Sequence, residues 1–229
     1  MKTLIIIPTF NEELNIENLI KEINLKLNGY DFSILIVDDN SKDSTAQIVK
    51  NLQKDYSNLY ILERGGKFGL ASAYIDGFKY GADLGYKAFV QMAADFSHNP
   101  EYLPVILNKL EENNAVVASR YIAGASTKGT NLFRDLIAWG GSLYSRLILN
   151  CPIKDLTGGY NGWRLDILNK IGLNNIISKG FCFQIELKYR AYCLGAQIVE
   201  FPIRYVDRRF GKSKMSVKTF FEALFKIIK

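Results

Sequence analysis

A repeated unit, in which a short unbroken apolar run closes on polar residues and leads into a stretch of helical periodicity, limits what this chain can fold into. Leu4-Ile5-Ile6-Ile7 is closed by Pro8, Ser33 to Val37 ends in Asp38-Asp39, and Leu59 to Leu62 runs into Arg64-Gly65-Gly66-Lys67. Ala88-Phe89-Val90-Gln91-Met92 ends at Asp95, and Ala115 to Ala118 precedes Ser119-Arg120-Tyr121. Runs of this kind mark strands buried on both faces. Between the first two, Leu14, Ile16, Leu19, Ile20 and Ile23 recur at helical spacing, with Asn11 as the expected N-cap. Ser41 or Asp43 opens a second helix through Ile48, Val49 and Leu52. A third is expected from about Gly69 to Leu84, and a fourth over 100–112 starting at Pro100, a favoured first-turn residue. The alternation predicts an α/β fold with an open sheet that binds ligands across the carboxyl ends of its strands.

After residue 121 the rhythm changes. A Gly/Ser/Thr/Lys-rich loop over 123–131 leads into a long helix from Arg134 to Leu149, then a Gly-rich turn at Thr157-Gly158-Gly159. Helices near 166–171 and 181–194, a strand over 197–203 and a final helix from about 216 to 229 complete the expectation. No repeat or linker divides the 229 residues, so a single domain is expected, with one half in 1–121 and another in 122–229.

Composition excludes several classes of function. Three Cys without a C-x-x-C pair argue against a disulfide framework or a structural zinc site. One histidine, His98, excludes a His-rich metal centre. The apolar run at the N-terminus is too short for a signal peptide, and no window approaches 18 uninterrupted apolar residues. A cytoplasmic location is therefore expected. The formal charge of +6 is uneven, because residues 187–229 hold 10 Lys/Arg against 3 Asp/Glu. A basic end on a near-neutral body points to an anionic partner such as phosphate or a membrane surface.

Glu12, Asp38, Asp39 and Asp95 follow three strand ends that meet at one rim of an α/β sheet. Clustered carboxylates there suit Mg²⁺ or Mn²⁺ and ribose hydroxyls, although a single Asp at such a junction often only caps the next helix. Arg64-Gly65-Gly66-Lys67-Phe68-Gly69-Leu70 can bring backbone N–H groups and Lys67 near an anion, but it lacks P-loop spacing, and no G-x-G-x-x-G follows the first strand. Arg208, Arg209, Lys212 and Lys214 surround Gly211 in a stretch too short, and too poor in interleaved aromatics, for a nucleic-acid face. A loop that folds over a pyrophosphate fits it better than a solvated surface does. The 216–229 segment carries Val217, Phe220, Phe221, Leu224, Phe225 and Ile228 on one side and lysines on the other. Such a stripe packs on a protein body or lies in a membrane interface.

Taken in order, Ile6-Ile7-Pro8-Thr9-Phe10-Asn11-Glu12, Val37-Asp38-Asp39-Asn40-Ser41, Lys67-x-Gly69-Leu70, Ala94-Asp95-Phe96-Ser97-His98-x-Pro100, Ser119-Arg120-Tyr121, Asp155-Leu156-Thr157-Gly158-Gly159 and Asp207-Arg208 through Lys214 resemble family 2 inverting glycosyltransferases. Within them the chain is similar to the dolichyl/polyprenyl-phosphate mannosyltransferases. The resemblance implies a GT-A, Rossmann-like, mostly parallel sheet flanked by helices, with acceptor-side helices in its C-terminal half. It implies that Pro8, Phe10, Glu12, Val37 and Asp39 hold the base and ribose of a nucleotide sugar. Asp38, Lys67, Ala93, Ala94 and Asp95 would complete the donor contacts. Asp95 and Ser97 would take a divalent cation, and Asp95, Arg120, Arg134, Arg208 and Lys214 would carry the catalytic roles around the phosphates. Helix 134–149 and the terminal helix would face lipid. The pattern departs from the family at one point: relatives read Asp-Ala-Asp where this chain has Ala93-Ala94-Asp95.

The implied reaction is inverting transfer of a hexose, mannose from GDP-mannose in the type members, to polyprenyl or dolichyl phosphate. An alcohol acceptor needs a general base, whereas a phosphate acceptor is already anionic and needs cations, which this chain has in excess. A transferase using UDP-glucose on a sugar hydroxyl remains an alternative, as does a nucleotide-sugar-binding protein without turnover, because of Ala93. The expected location is cytoplasmic and peripheral to a membrane, with a membrane protein as a further possible partner.

Overall fold

The structure, a computed structural model, describes residues 1–129, 132–180 and 182–207, with the helical backbone alone over 132–135. Strands β1 (Thr3–Thr9), β2 (Phe32–Asp38), β3 (Leu59–Glu63), β4 (Ala88–Gln91) and β5 (Ala115–Ser119) form where the apolar runs lie. Helices α1 (Ile16–Lys26), α2 (Thr45–Leu52), α3 (Leu70–Asp83) and α4 (Leu103–Leu110) alternate with them, α4 being preceded by a 3₁₀ turn at Pro100–Tyr102. The second half adds β6 (Ser126–Lys128), α5 (Leu132–Leu149), β7 (Asn161–Arg164), α6 (Leu165–Ile171), α7 (Cys182–Cys193), β8 (Ile198–Pro202) and β9 (Arg204–Val206).

Seven strands make one sheet in the order β3-β2-β1-β4-β7-β5-β8, all parallel except β7, which runs antiparallel to both neighbours. Alternate residues of β1 feed two cores. Ile5 and Ile7 pack with Ile34, Ile36, α1 and α4, while Leu4 and Ile6 pack with Leu35, Phe89, α3 and α7. Burial of both faces explains why the strands read as unbroken apolar runs.

Three expectations are corrected, and one choice between two residues is decided. Asn11 is not the N-cap of α1, which starts after Asn15. Asn11 instead takes a left-handed φ of 55°, and its Oδ1 accepts from the Lys42 N–H. Leu14 is exposed outside α1. Of the two candidates for opening α2, Asp43 supports its first turn by accepting from the Thr45 N–H, while Ser41 turns back onto Asp38. The 123–131 loop contains β6, which pairs in parallel with β9. The terminal 216–229 helix lies outside the described residues.

Strand β7 has no apolar run to announce it. It sits mid-sheet because Asn161 donates to Gln91, the Gly158 carbonyl and Gln184, and because Trp163 Nε1 donates to Gln91 Oε1. Gly162 lets α4 cross it closely: a Cβ there would lie 2.6 Å from Ile106 and 2.8 Å from Leu110. Gly162→Ala is therefore expected to cost about 1–3 kcal/mol by overpacking. Thermal or urea unfolding of the purified variant checks this, and an unchanged midpoint would show that α4 shifts without cost.

Candidate active site

The carboxyl ends of β1, β2, β4 and β5 open on one rim, and three of them are followed by sharp reversals. Asn11, Asn40 and Phe96 hold positive φ values of 55°, 61° and 64° just past β1, β2 and β4. Asn tolerates this region, whereas a buried aromatic such as Phe96 adopts it only under tertiary constraint.

At the β1–β2 end, most of the expected donor-binding side chains are engaged with one another. Asp38 is buried and accepts from Thr9 Oγ1 at 2.8 Å and from the Ser41 N–H and hydroxyl at 2.9 and 2.6 Å. Asp39 lies 2.6 Å from Arg64 Nη1 and accepts from the Gly69 N–H at 2.8 Å. Arg64, itself nearly buried, also donates to Ser72 and lies 3.3 Å from Asp76. Lys67 Nζ sits 3.9 Å above the Phe10 ring, so the glycine-rich turn folds back over the end of β1. Glu12 accepts from Asn15 Nδ2. Pro8 pairs in register with Val37, whose side chain is fully buried among the core residues beneath α3. Val37 is wholly buried between β1 and β3, so the expected contact of Val37 with a ligand finds no exposed surface in this structure.

At the β4 end, Asp95 Oδ1 accepts from the Ser97 N–H and hydroxyl at 3.1 and 2.6 Å. Ala94 is buried in the core, and the Ala93 N–H donates to His98 Nδ1 at 2.9 Å. His98 stacks on Tyr160 at 4.6 Å between ring centroids. Burial, together with the Arg120 and Lys188 charges, lowers its pKa to about 4, so it is neutral near pH 7 and unsuited to accept a proton there. Among the described residues no group of three or more His, Cys, Asp or Glu could hold a metal ion. Asp95 and Ser97 are hard oxygen donors of the right type, and a magnesium-like cation is commonly held by one or two carboxylates plus substrate phosphates. The donor set fits a cation shared with a ligand, not an all-protein cage.

Beyond β5, Arg120 pairs with Asp155 through two parallel bonds of 2.8 Å and a third from its backbone N–H, and it donates to Thr157. Burial alone would raise the Asp155 pKa, but Arg120 and Lys188 hold it at about 2. Lys188, fully buried, donates to the carbonyls of Asp155, Leu156 and Gly158, and its own burial lowers its pKa to about 8. Arg120 and Tyr121 line a groove of about 390 Å³ with Ala125, Thr127, Leu136 and Trp139. Leu136, Trp139 and Leu147, exposed at 62%, 49% and 73%, share one face of α5.

The structure thus gathers Phe10, Glu12, Asp39 and Lys67 around the β1 and β2 ends, Asp95 and Ser97 after β4, and Arg120 after β5. The Arg134 side chain, Arg208 and Lys214 lie outside the described residues. Arg64, Tyr74, Asp155 and Lys188 were not assigned roles from sequence. Arg64 stood directly after a strand, and Asp155 opened a quoted motif. Lys188 is buried on α7 one turn after the buried Gln184, beside the apolar face that carries Phe183, Leu187 and Ala191.

The sequence profile described as Glycosyl transferase family 2 matches residues 4–172. The chain belongs to glycosyl transferase family 2. It is 40% identical over 217 residues to an undecaprenyl-phosphate mannosyltransferase of Micrococcus luteus, covering 94% of this chain and 88% of the relative. It is 37% identical over 228 residues to the polyprenol monophosphomannose synthase of Mycolicibacterium smegmatis, covering 99% and 85%. Among solved structures, glucosyl-3-phosphoglycerate synthase from Mycobacterium tuberculosis in complex with phosphoglyceric acid aligns with a TM-score of 0.70 at 16% identity, over 99% of this chain and 77% of that one. The same enzyme with Mn²⁺, uridine diphosphate and glucosyl-3-phosphoglycerate aligns at 0.69 and 17%, with the same coverage. These likenesses show the GT-A type of fold in this family 2 chain.

His98 also sets a pH dependence of stability. Its folded pKa lies below its ordinary value of 6.5, so the unfolded chain binds the extra proton first as pH falls. Stability is expected to decline between pH 6.5 and about 4, by up to about 3 kcal/mol from this group. Melting temperatures across that window should fall more steeply for the natural chain than for His98→Asn, and parallel curves would exclude His98 as the source.

Proposed function

We propose that this chain transfers mannose from GDP-mannose to a polyprenyl phosphate, with inversion at the anomeric carbon. The observation that supports it most is the groove between Arg120, held by Asp155 with N–H groups still available, and the exposed apolar face of α5, which joins a polar floor to an apolar wall. That combination suits an isoprenoid phosphate and not a free sugar. The names of the two mannosyltransferase relatives agree with it.

In this reading Phe10, Glu12, Asp39 and Lys67, with the backbone at Pro8, receive the nucleoside, and Asp38 shapes the turn that carries Asp39. Ala93 and Ala94 bring the chain to Asp95, which with Ser97 would hold Mg²⁺ or Mn²⁺ against the donor diphosphate. The cation would offset negative charge on the departing nucleoside diphosphate. An oxygen of the acceptor phosphate forms the new bond to the anomeric carbon as the bond to the donor diphosphate breaks, and its electron pair leaves on GDP. No proton moves. The single histidine, neutral and engaged at Nδ1, is suited to this, since an alcohol acceptor would require a base. Arg120 lines the acceptor groove, and Arg134, Arg208 and Lys214 would carry phosphate charge. Residues 1–121 mainly serve the donor, with Arg120 and Tyr121 at their end reaching the acceptor groove, and 122–229 serve the acceptor.

No helix among the described residues is long and apolar enough to cross a membrane. The Leu136, Trp139 and Leu147 face would rest in the membrane interface, where the lipid acceptor is, so the protein works peripherally on that surface.

Purified protein with labelled GDP-mannose and undecaprenyl phosphate should move label into the organic phase. Asp95→Asn should reduce turnover about a hundredfold or more. Label that appears only in water-soluble glycan, or from UDP-glucose alone, would establish the sugar-hydroxyl alternative. Donor binding without turnover in either the natural chain or Ala93→Asp would establish a binding protein.

A further inference from the structure

The Met92–Ala93 peptide is held from both sides by side chains. It lies at the end of β4, where the chain leaves the sheet towards Asp95. Its carbonyl, on Met92, accepts from the Tyr74 hydroxyl at 3.3 Å. Its N–H, on Ala93, donates to His98 Nδ1 at 2.9 Å. The two holding residues come from different places: Tyr74 from α3, and His98 from the far side of the loop itself. Each is fixed by a second ring. Tyr74 stacks on Phe183 of α7 at 6.2 Å and 5°, and His98 stacks on Tyr160 at 4.6 Å and 3°. Tyr160 in turn donates through its hydroxyl to the Asn99 carbonyl at 3.0 Å, beside His98. All of these rings are buried.

A peptide plane with both polar groups engaged cannot rotate about its flanking bonds without breaking one of them. Two residues later the loop carries Asp95, and then Phe96 in the left-handed region at φ 64°. A loop containing such a conformation relaxes unless its surroundings determine it. Asp95 has Ser97 to fix its own carboxylate, while this plane lies upstream, where the segment leaves the sheet.

We infer that Tyr74 and His98 are positioning residues, which together orient the Met92–Ala93 peptide and through it aim Asp95 at the donor diphosphate. This rests on the reading of Asp95 given above. Neither residue touches substrate in this account, and neither exchanges a proton. His98 acts as a neutral acceptor whose proton sits on Nε2.

Tyr74→Phe removes only a hydroxyl, and His98→Phe keeps a ring against Tyr160 while removing the acceptor. Each is expected to lower kcat about tenfold or more, the effect of losing one hydrogen bond from a buried group. The acceptor KM should stay within about twofold, as the groove at Arg120 is unaltered. His98→Asn, whose Oδ1 can accept from Ala93, should recover most of the loss. The double variant should cost less than the product of the two single losses, because both act on one plane. A second measurement does not depend on turnover: Mn²⁺ titrated into protein with GDP, followed by electron paramagnetic resonance, should show weaker binding in both single variants and recovery in His98→Asn. Unchanged kcat and Mn²⁺ affinity in both single variants, with Asp95→Asn impaired, would overturn this inference alone. Unchanged values in Asp95→Asn would instead overturn the site reading beneath it. Equal losses in His98→Phe and His98→Asn, or a loss confined to melting temperature, would reduce His98 to a packing residue and also overturn the inference.

Discussion

The rim beyond β5 depends on the carboxylate of Asp155. Fully buried, it accepts from the Arg120 backbone and guanidinium and from the Gly158 N–H, while Lys188 supplies a second cation beneath the same turn. A buried ion pair with good geometry and complete hydrogen bonding roughly offsets its desolvation cost, but removing one member leaves an uncompensated buried charge worth about 3–5 kcal/mol. Arg120 is at the end of β5, Asp155 before β7, and Lys188 on α7, so this one cluster joins three elements. The turn it fixes delivers β7 into the slot between β4 and β5. Without that slot filled, the sheet would have no central strand to carry Asn161 and Trp163 against Gln91.

Charge at this rim is therefore mostly internal. Asp38 serves Thr9 and Ser41, Asp39 serves Arg64 and Gly69, and Arg120 serves Asp155. Such pairing does not remove these groups from ligand chemistry, since a carboxylate has about four lone-pair sites and a guanidinium five N–H donors. It does fix their directions before any ligand arrives. Preorganisation of this kind avoids reorganisation at the moment when charge develops on a leaving group.

The parallel half of the fold was legible because its physics is local. Strands covered on both faces need unbroken apolar runs, and β1 to β5 have them at the expected positions. Strand β7 was not legible, because Asn161, Gly162 and Arg164 are held by long-range hydrogen bonds and by a close helix crossing that no local pattern encodes. Asn11 misled for a related reason: its side chain can cap a helix, yet here it bridges to Lys42 across two strand ends. At the candidate site, Phe10, Asp39, Lys67, Asp95 and Arg120 were expected from ordered motifs, and the structure places them at the strand ends. Their partners Arg64, Tyr74, His98 and Lys188 were not expected in that way, since partnership is a property of the folded neighbourhood.

The left-handed residues past β1, β2 and β4 connect these points. A parallel strand entering its crossover helix must turn sharply, and a turn through φ near 60° does so within a few residues. Asn pays little for this at positions 11 and 40, because its short polar side chain bonds locally. Phe96 has no such compensation from its own chemistry and is held by burial of its ring in the core. An easier residue there would let the segment relax, and Asp95, its immediate neighbour, would lose its fixed direction. The strain is placed beside Asp95, where the family resemblance implies a second carboxylate that this chain replaces with Ala93. In the proposed reading, Asp95 and Ser97 are the groups offered to a shared cation among the described residues, and precision of aim would then substitute for number of ligands.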